Sequence, residues 1–385
     1  MLASPNYYET GSPIWRDMFP EYLFANSTSP CVSMRGNIVS VPLGLAPGVS
    51  TCVFYNVELF EELGLKPTKD WDEWLDMAVK AKQAGYVGLA QYNNSGPLLW
   101  NWNCQFSLFP AYAAYFNQVS DKDGDGVASE SETGQAAWEG KWYTENNPAI
   151  KEALYEMLRV YKDVLNEGYE SIDYYSAWQD GQVAMLEEGP WYTPTVKSDT
   201  KRDFDFDTFV TPIKQKSEFV TPVEYTVGPY NPSPQIIITV INPQVLDRPD
   251  YNADYCVDYL KYITETSRLS LLVDEQGGGV IGATKTCTIP GALGNWLQKE
   301  FPQLPTSANI AVPWYTAPGS AELLAEMERY VYGEYTFEEF CIVYDDILYR
   351  DLTNFVAENR QTLIDEEGWN IDEWAEEMVK PSSKA

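Results

Sequence analysis

The sequence predicts an α/β protein built as two lobes around a cleft, and three observations lead to that class. The 385 residues exceed the usual size of a domain with one core. Short β-prone runs alternate with helical periodicities along most of the chain, as in an α/β architecture. Two Gly- and Pro-rich stretches, Gly44 to Gly48 and residues 215 to 234 with four prolines, break that alternation where a chain would cross between lobes. Hydrophobic residues at 44% and charged residues at 22% exclude a disordered or collagen-like chain.

The elements follow in order. Residues 36 to 43 read as a short strand and Thr51 to Tyr55 as another. Asn56 then caps a helix over Val57 to Leu63 that Gly64 ends. Asp70-Trp71-Asp72-Glu73 has the spacing of a capping box, and Trp71, Trp74, Leu75, Ala78 and Val79 recur at the spacing of a core-facing stripe. Gly85 stops this helix before a strand at Val87 to Gln91. Asn147-Pro148 opens a helix that carries Ile150, Leu154, Met157, Leu158, Tyr161 and Leu165 before Gly168. Helices are expected at 174–180, 251–275, 320–332 and 336–358, and strands near 183–187, 206–211 and 235–241. From about 350 onward Leu352, Phe355, Val356, Leu363, Trp369, Trp374 and Met378 stand among acidic residues, which predicts amphipathic helices closing the structure.

Charge and composition narrow the function. A net charge of -31, from 57 Asp and Glu against 26 Lys and Arg, repels polyanions and excludes nucleic acid as an expected partner. The largely aliphatic run Ile236 to Ile241 is the longest, far short of the roughly 20 apolar residues a membrane span needs. The start Met1-Leu2-Ala3-Ser4-Pro5-Asn6 lacks a basic region followed by an apolar stretch, so it does not read as a signal peptide. Cys31, Cys52, Cys104, Cys256, Cys287 and Cys341 are scattered without a C-x-x-C pair, which disfavours a zinc ribbon and leaves disulfides and buried thiols both open. The chain has no histidine, which removes the Ser-His-Asp triad, the Cys-His dyad and His-ligated zinc.

One stretch has the register of a calcium loop of EF-hand type. Asp121, Asp123 and Asp125 stand at positions 1, 3 and 5, and Gly126 at position 6 allows the sharp turn. The Val127 carbonyl falls at 7, Ser129 at 9 and Glu132 at 12, where a carboxylate can bind with both oxygens. An acidic surface turn is the plainer alternative. The expected role of Ca2+ is structural, pinning an insertion near 118–146.

Three further stretches together resemble the carbohydrate-binding branch of the extracellular solute-binding proteins of ABC transporters, the maltose-binding-protein-like family. Phe54-Tyr55-Asn56 through Gly64-Leu65, followed by Pro67 and Trp71-Asp72-Glu73-Trp74, is similar to the strand and two helix starts that open the family's second lobe. Trp178-Gln179-Asp180-Gly181-Gln182-Val183-Ala184-Met185, then Gly189-Pro190-Trp191, resembles its F-x-x-G-x-x-A-M…G-P-W signature. Tyr332-Gly333 with Phe337-Glu338-Glu339-Phe340, preceded by Trp314-Tyr315, resembles a late helix start, and Gly36 to Pro42 is a weaker match to the strand before the first hinge.

The resemblance covers roughly residues 30 to 345 and implies a two-lobe, periplasmic-binding-protein-like type II fold with hinge crossings. It implies lobe one at 1–46 and 226–304, and lobe two at 47–225 and 305–385. Only about 45 residues precede the first hinge, so the N-terminal lobe is expected to be incomplete. The implied function is the substrate-binding component of an ABC importer, a monomer that captures an oligosaccharide in the inter-lobe cleft and hands it to permease subunits. The implied location is extracytoplasmic, as a cell-surface lipoprotein or a periplasmic protein.

Sugars present apolar C–H faces ringed by hydroxyls and call for flat aromatic platforms with a few hydrogen-bonding groups. The 13 Trp and 27 Tyr suit such a site, although many belong to a core. In the family the residue matching Trp191 stacks on the sugar, and Trp314 and Tyr315 resemble its paired aromatics at the cleft. The family's sugar loop falls at Tyr92 to Pro97, which makes Asn93 the best polar contact, with Trp100 and Trp102 open between core and site. A glycoside hydrolase is the chief alternative, with Glu187 and Glu188 as its carboxylates, but neighbours on a strand point to opposite faces and cannot flank one bond. A binding protein for a non-sugar solute is the other.

Overall fold

A computed structural model describes residues 3–24, 31, 40–45, 52–91, 108–124, 128–189, 192–212, 214–220, 234–239, 252–275, 281–287, 320–365 and 367–382. Among these residues the strands are β1 (Ser40–Leu45), β2 (Cys52–Asn56), β3 (Val87–Gln91), β4 (Val183–Glu188), β5 (Phe206–Val210), β6 (Pro234–Thr239) and β7 (Ile281–Gly282). They form two sheets, of order β6-β1-β7 and β3-β4-β2-β5. The chain therefore passes from the first sheet to the second between Leu45 and Cys52 and returns between Val210 and Pro234. The ends of β1 to β6 match the sequence expectation to within two residues except at the start of β1, where 36–39 lie outside the described residues, and the two-residue β7 is not among the expected strands.

In the second sheet β4 pairs parallel with β3 and antiparallel with β2, and β2 also pairs antiparallel with β5. Every residue of β4 is buried, because it has a strand on each side and the apolar run Val183-Ala184-Met185-Leu186 fills both faces. In the first sheet β1 carries Pro42, which has no N–H to donate, and the register against β6 slips on both sides of Gly44.

Local chemistry sets the helices of the second sheet. Helix α1 (Val57–Leu63) starts where Asn56 Oδ1 accepts the Leu59 N–H at 3.0 Å, and it ends at Gly64 in the left-handed region (φ 61°). Helix α2 (Trp71–Gln83) is capped by Asp70, whose Oδ1 accepts the Asp72 and Glu73 N–H groups. The reciprocal half of the expected capping box is not made. Thr68 takes its place, because its hydroxyl accepts the Asp70 N–H at 3.1 Å and donates to Glu73 at 2.6 Å. Helix α2 lies against β3 at Gly88, where any Cβ would collide with the Ala78 carbonyl. Trp71 and Trp74 are fully buried in the core, as their spacing predicts.

Next come α3 (Phe109–Ser120), α4 (Glu130–Trp138), α5 (Pro148–Arg159), α6 (Tyr174–Gln179) and α7 (Thr193–Ser198). The Asn147 side chain caps α5, and a π turn over Val160–Val164 extends it. Residues 214–220 are held to α2 and α5 by a buried ion network. Lys214 Nζ lies 3.1 Å from both Asp72 oxygens and from Glu156 Oε1, and Arg159 reaches the same two carboxylates at 2.9 and 3.2 Å.

The expected helix at 251–275 is two, α8 (Ala253–Ile263) and α9 (Thr266–Glu275), divided where the Glu265 carboxylate accepts the Ser267 and Arg268 N–H groups and starts a new helix. The N-terminal segment docks on α8, with Asn6 donating to the Lys261 carbonyl at 3.0 Å and buried Trp15 to the Thr264 hydroxyl at 2.9 Å. Helix α10 (Ser320–Val331) precedes α11 (Phe337–Asp365), a single helix of 29 residues. Beyond it the expected amphipathic helices do not form, apart from a 3-10 turn at Ile371–Glu373. Trp369, Trp374 and Met378 are buried all the same, because this irregular segment lies along α4: the Trp138 indole donates to the Ala375 carbonyl at 2.9 Å and the Val379 N–H to the Trp138 carbonyl at 2.9 Å.

Two outcomes follow. Gly88→Ala forces α2 off β3 and lowers unfolding stability by about 3 kcal/mol or more in a denaturant titration. Asp345, buried in α11, accepts the Thr144 N–H at 2.6 Å and its hydroxyl at 2.9 Å. Burial outweighs those bonds and pushes its carboxyl up to about 6. The folded state thus binds this proton more tightly than the unfolded chain, so stability is lost as pH rises through the window from about 4 to 6. Asp345→Asn removes that loss, and the stability difference between variant and wild type shifts toward the variant as pH rises from 4 to 7. A difference that stays flat with pH would contradict this assignment.

Candidate functional site

The second sheet brings four strand ends to one edge. Strands β3, β4 and β5 finish there at Gln91, Glu188 and Val210, and antiparallel β2 begins there at Cys52. In α/β sheets ligands bind outside the carboxyl ends of the strands, near the point where the topology switches. This edge also sits at the passage between the two sheets, since β2 follows the first crossing.

The edge is polar although it is buried. Glu187 and Glu188 are only 3% and 2% exposed. Gln91 donates its amide to Glu187 Oε2 at 2.6 Å, side by side in the parallel register. Glu188 turns to other partners, accepting the Tyr175 hydroxyl at 2.6 Å and the Gly189 N–H at 2.9 Å. Burial raises the Glu188 carboxyl above its usual range, against the lowering effect of those two bonds. Successive residues of a strand face opposite ways, and these separate partners follow from that geometry.

Aromatic rings continue the edge. Tyr192 meets Phe54 edge-on at 5.9 Å and Tyr175 at 5.1 Å, so the three rings cluster together. The Cys52 thiol donates to the Glu188 carbonyl at 3.5 Å. Burial first, then the charges of Glu188 and Glu187, raises its pKa well above the usual thiol value. It is therefore held as a neutral thiol rather than a nucleophile.

The residues expected to touch a sugar flank these elements in sequence. Asn93, Trp100 and Trp102 follow β3, Trp191 follows β4, and Trp314 and Tyr315 precede α10; all six lie outside the described residues. Sequence reasoning missed Gln91, Tyr175, Tyr192 and Cys52. A polar residue closing an apolar strand, as Gln91 closes Val-Gly-Leu-Ala, is the signal that points to such an edge.

The acidic loop between α3 and α4 is a second candidate. Asp121, Asp123 and Glu132 each offer a carboxylate oxygen, and these oxygens lie within 4.8 Å of one another. Ser129 sits beside them, while Asp125 and Val127 lie outside the described residues. The donors are all hard oxygens, which suits calcium. Glu132 ties both ends of the loop together: Oε2 accepts the Ser129 N–H at 2.8 Å and its hydroxyl at 2.7 Å, and Oε1 accepts the Lys122 and Asp123 N–H groups at 2.9 and 3.2 Å. Burial pushes this carboxyl up, but those bonds outweigh it and hold Glu132 below its ordinary value. Ser129 and Glu132 also form the capping box of α4, a helix start that the calcium register hid from the sequence reading.

No helix among the described residues is long and apolar enough to cross a membrane. The family model described as bacterial extracellular solute-binding protein matches residues 16–236. Comparison with curated proteins gives no match. Among solved structures the chain is similar to a chitin oligosaccharide binding protein, at 17% identity over 90% of this chain and 76% of that one, with a TM-score of 0.53. It is also similar to the solute-binding protein RafE in complex with raffinose, at 13% identity over 92% and 84%, TM-score 0.54. A cyclic alpha-maltosyl-1,6-maltose binding protein from Arthrobacter globiformis matches at 18% identity over 88% and 79%, TM-score 0.50. The likeness is one of fold, the two-lobe type II architecture.

Proposed function

The chain belongs to the bacterial extracellular solute-binding protein family, and we propose that it is the substrate-binding component of an ABC importer, taking a saccharide between its lobes and delivering it to the permease. The observation that carries this reading is family membership joined to a sheet edge where buried polar groups and aromatic rings meet the passage between two sheets. Saccharide as the ligand class is supported by what three proteins of the same fold are named for binding: a chitin oligosaccharide, raffinose and a cyclic maltosyl-maltose.

In this reading Trp191, with Trp314 and Tyr315 from the other stretch, stacks on the sugar faces. Asn93 takes a hydroxyl, and Trp100 and Trp102 line the approach. The polar edge formed by Gln91, Glu187, Glu188 and Tyr175 fixes the strand ends that precede Asn93 and Trp191 in sequence. Ligand favours the closed arrangement of the lobes by its greater affinity for it, and the permease reads that arrangement. The protein acts by binding and not by catalysis, as a monomer outside the cytoplasm, at the cell surface as a lipoprotein or in the periplasm. The chain's lack of histidine and the neutral Cys52 thiol favour this over hydrolysis.

The Asp121–Glu132 loop is read as a structural calcium site. Asp121, Asp123, Asp125, the Val127 carbonyl, Ser129 and Glu132 would hold the ion, which would supply charge neutralisation among the clustered carboxylates.

Two measurements test these readings. Titration calorimetry across raffinose, maltose and chitin oligosaccharides is expected to give saturable binding to at least one, which Trp191→Ala weakens by about tenfold or more, with no sugar released from glycosides. Heat on none of them, or affinity untouched by Trp191→Ala, would contradict the assignment. Excess calcium is expected to raise the melting temperature by several degrees and EDTA to lower it, and Asp121→Asn is expected to abolish the response. A melting temperature indifferent to both would remove the calcium site.

A further inference from the structure

Three strands finish at the polar edge of the second sheet, and at the end of each, or within five residues of it, a buried polar atom has no hydrogen-bond partner among the described residues. At β3 it is Gln91 Oε1, on the strand's last residue. At β5 it is the Thr211 hydroxyl, one residue past Val210. After β4 it is the Thr193 hydroxyl, on the first residue of α7 and next to Tyr192, whose ring meets those of Phe54 and Tyr175. Gln91 is 3% exposed, and Thr193 and Thr211 are each 2% exposed.

Such atoms are costly. A polar group taken out of water and left unpaired destabilises the fold, so nearly all buried ones are paired. An apolar residue of similar shape removes that cost, and valine differs from threonine only in carrying a methyl where the hydroxyl stands. Ligands of α/β sheets bind outside the carboxyl ends of the strands, which is where these three atoms sit. They are therefore groups held ready for partners that a ligand supplies. Thr133, buried in α4 with an unpaired hydroxyl of the same kind, stands at no strand end.

The chemistry of the three atoms specifies the partner. The Gln91 amide nitrogen is committed to Glu187, so the remaining oxygen is an acceptor and calls for a donor. Threonine hydroxyls rotate and can donate or accept. A sugar hydroxyl does both, whereas a carboxylate or phosphate has no proton to give Gln91 and would meet the charges of Glu187 and Glu188. The strand order β3-β4-β2-β5 sets Gln91 and Thr211 at the two outer strands, about 14 Å apart at the ordinary strand spacing. A single sugar ring is shorter than that span, and a chain of rings covers it.

We propose that Gln91, Thr193 and Thr211 are hydrogen-bonding contacts for an oligosaccharide lying across these strand ends. The inference rests on the saccharide reading and adds to it the side chains of the sheet and of its exits that take the hydroxyls.

Thr193→Val and Thr211→Val exchange each hydroxyl for a methyl, and Thr133→Val makes the same exchange away from the edge. Titration calorimetry with raffinose, maltose and chitin oligosaccharides is read beside the melting temperature of the sugar-free protein. The expected result is that each edge variant weakens binding of a saccharide from this set by about fivefold, with a melting temperature at or above that of wild type. Thr133→Val is expected to bind as wild type does. Unchanged affinity in an edge variant overturns that residue's contact and leaves the saccharide reading standing. Affinity and melting temperature that fall together also overturn the contact, because the hydroxyl then serves the fold. Binding of none of these saccharides by the wild type removes the saccharide reading and the contacts with it.

Discussion

The central strand β4 is the constraint on which the rest of the second sheet depends. It is paired on both sides and buried at all six residues, so its register against β2 and β3 admits no slip without placing Glu187 or Glu188 against an apolar face. That register fixes where Gln91, Glu188 and Cys52 end up. The Gln91–Glu187 and Tyr175–Glu188 bonds give buried carboxylates the partners that burial demands. The candidate edge is thereby built from the sheet's own strand ends.

Charge is handled differently inside and outside. A surplus of 31 negative charges turns polyanions away, while among the described residues the buried lysines are Lys214 and Lys261. Lys214 is the example, neutralised by Asp72 and Glu156 and reinforced by Arg159, in a stretch between β5 and β6 that would otherwise depend on weak loop contacts. Each cation touches both carboxylates, so the network ties this stretch to α2 and α5 through more than one ion pair.

What the sequence made legible was local. Asn56, Gly64, Asp70 and Asn147 act within a few residues of themselves, and the helix ends they imply are the ones observed. The strands were readable for the same reason, since β-prone runs bounded by turn residues need no knowledge of their partners. What stayed hidden was nonlocal or doubly used. Gln91 and Glu187 lie 96 residues apart, and Lys214 meets Asp72 across 142. Trp369 and Trp374 mimic an amphipathic stripe because they are buried against α4, and Met378 because it is buried beside Thr353, not because they are helical. Ser129 and Glu132 serve a loop register and a helix cap together, so reading the first concealed the second.

The central claim is that ligand meets the protein at the edge where β3 and β4 end and the chain changes sheets. Amide hydrogen exchange with and without a saturating concentration of whichever saccharide binds tests it most directly. The account predicts protection concentrated in the segments that follow Gln91 and Glu188, together with segments flanking the first sheet. Protection confined to surfaces away from that edge, with the sugar demonstrably bound, would contradict it.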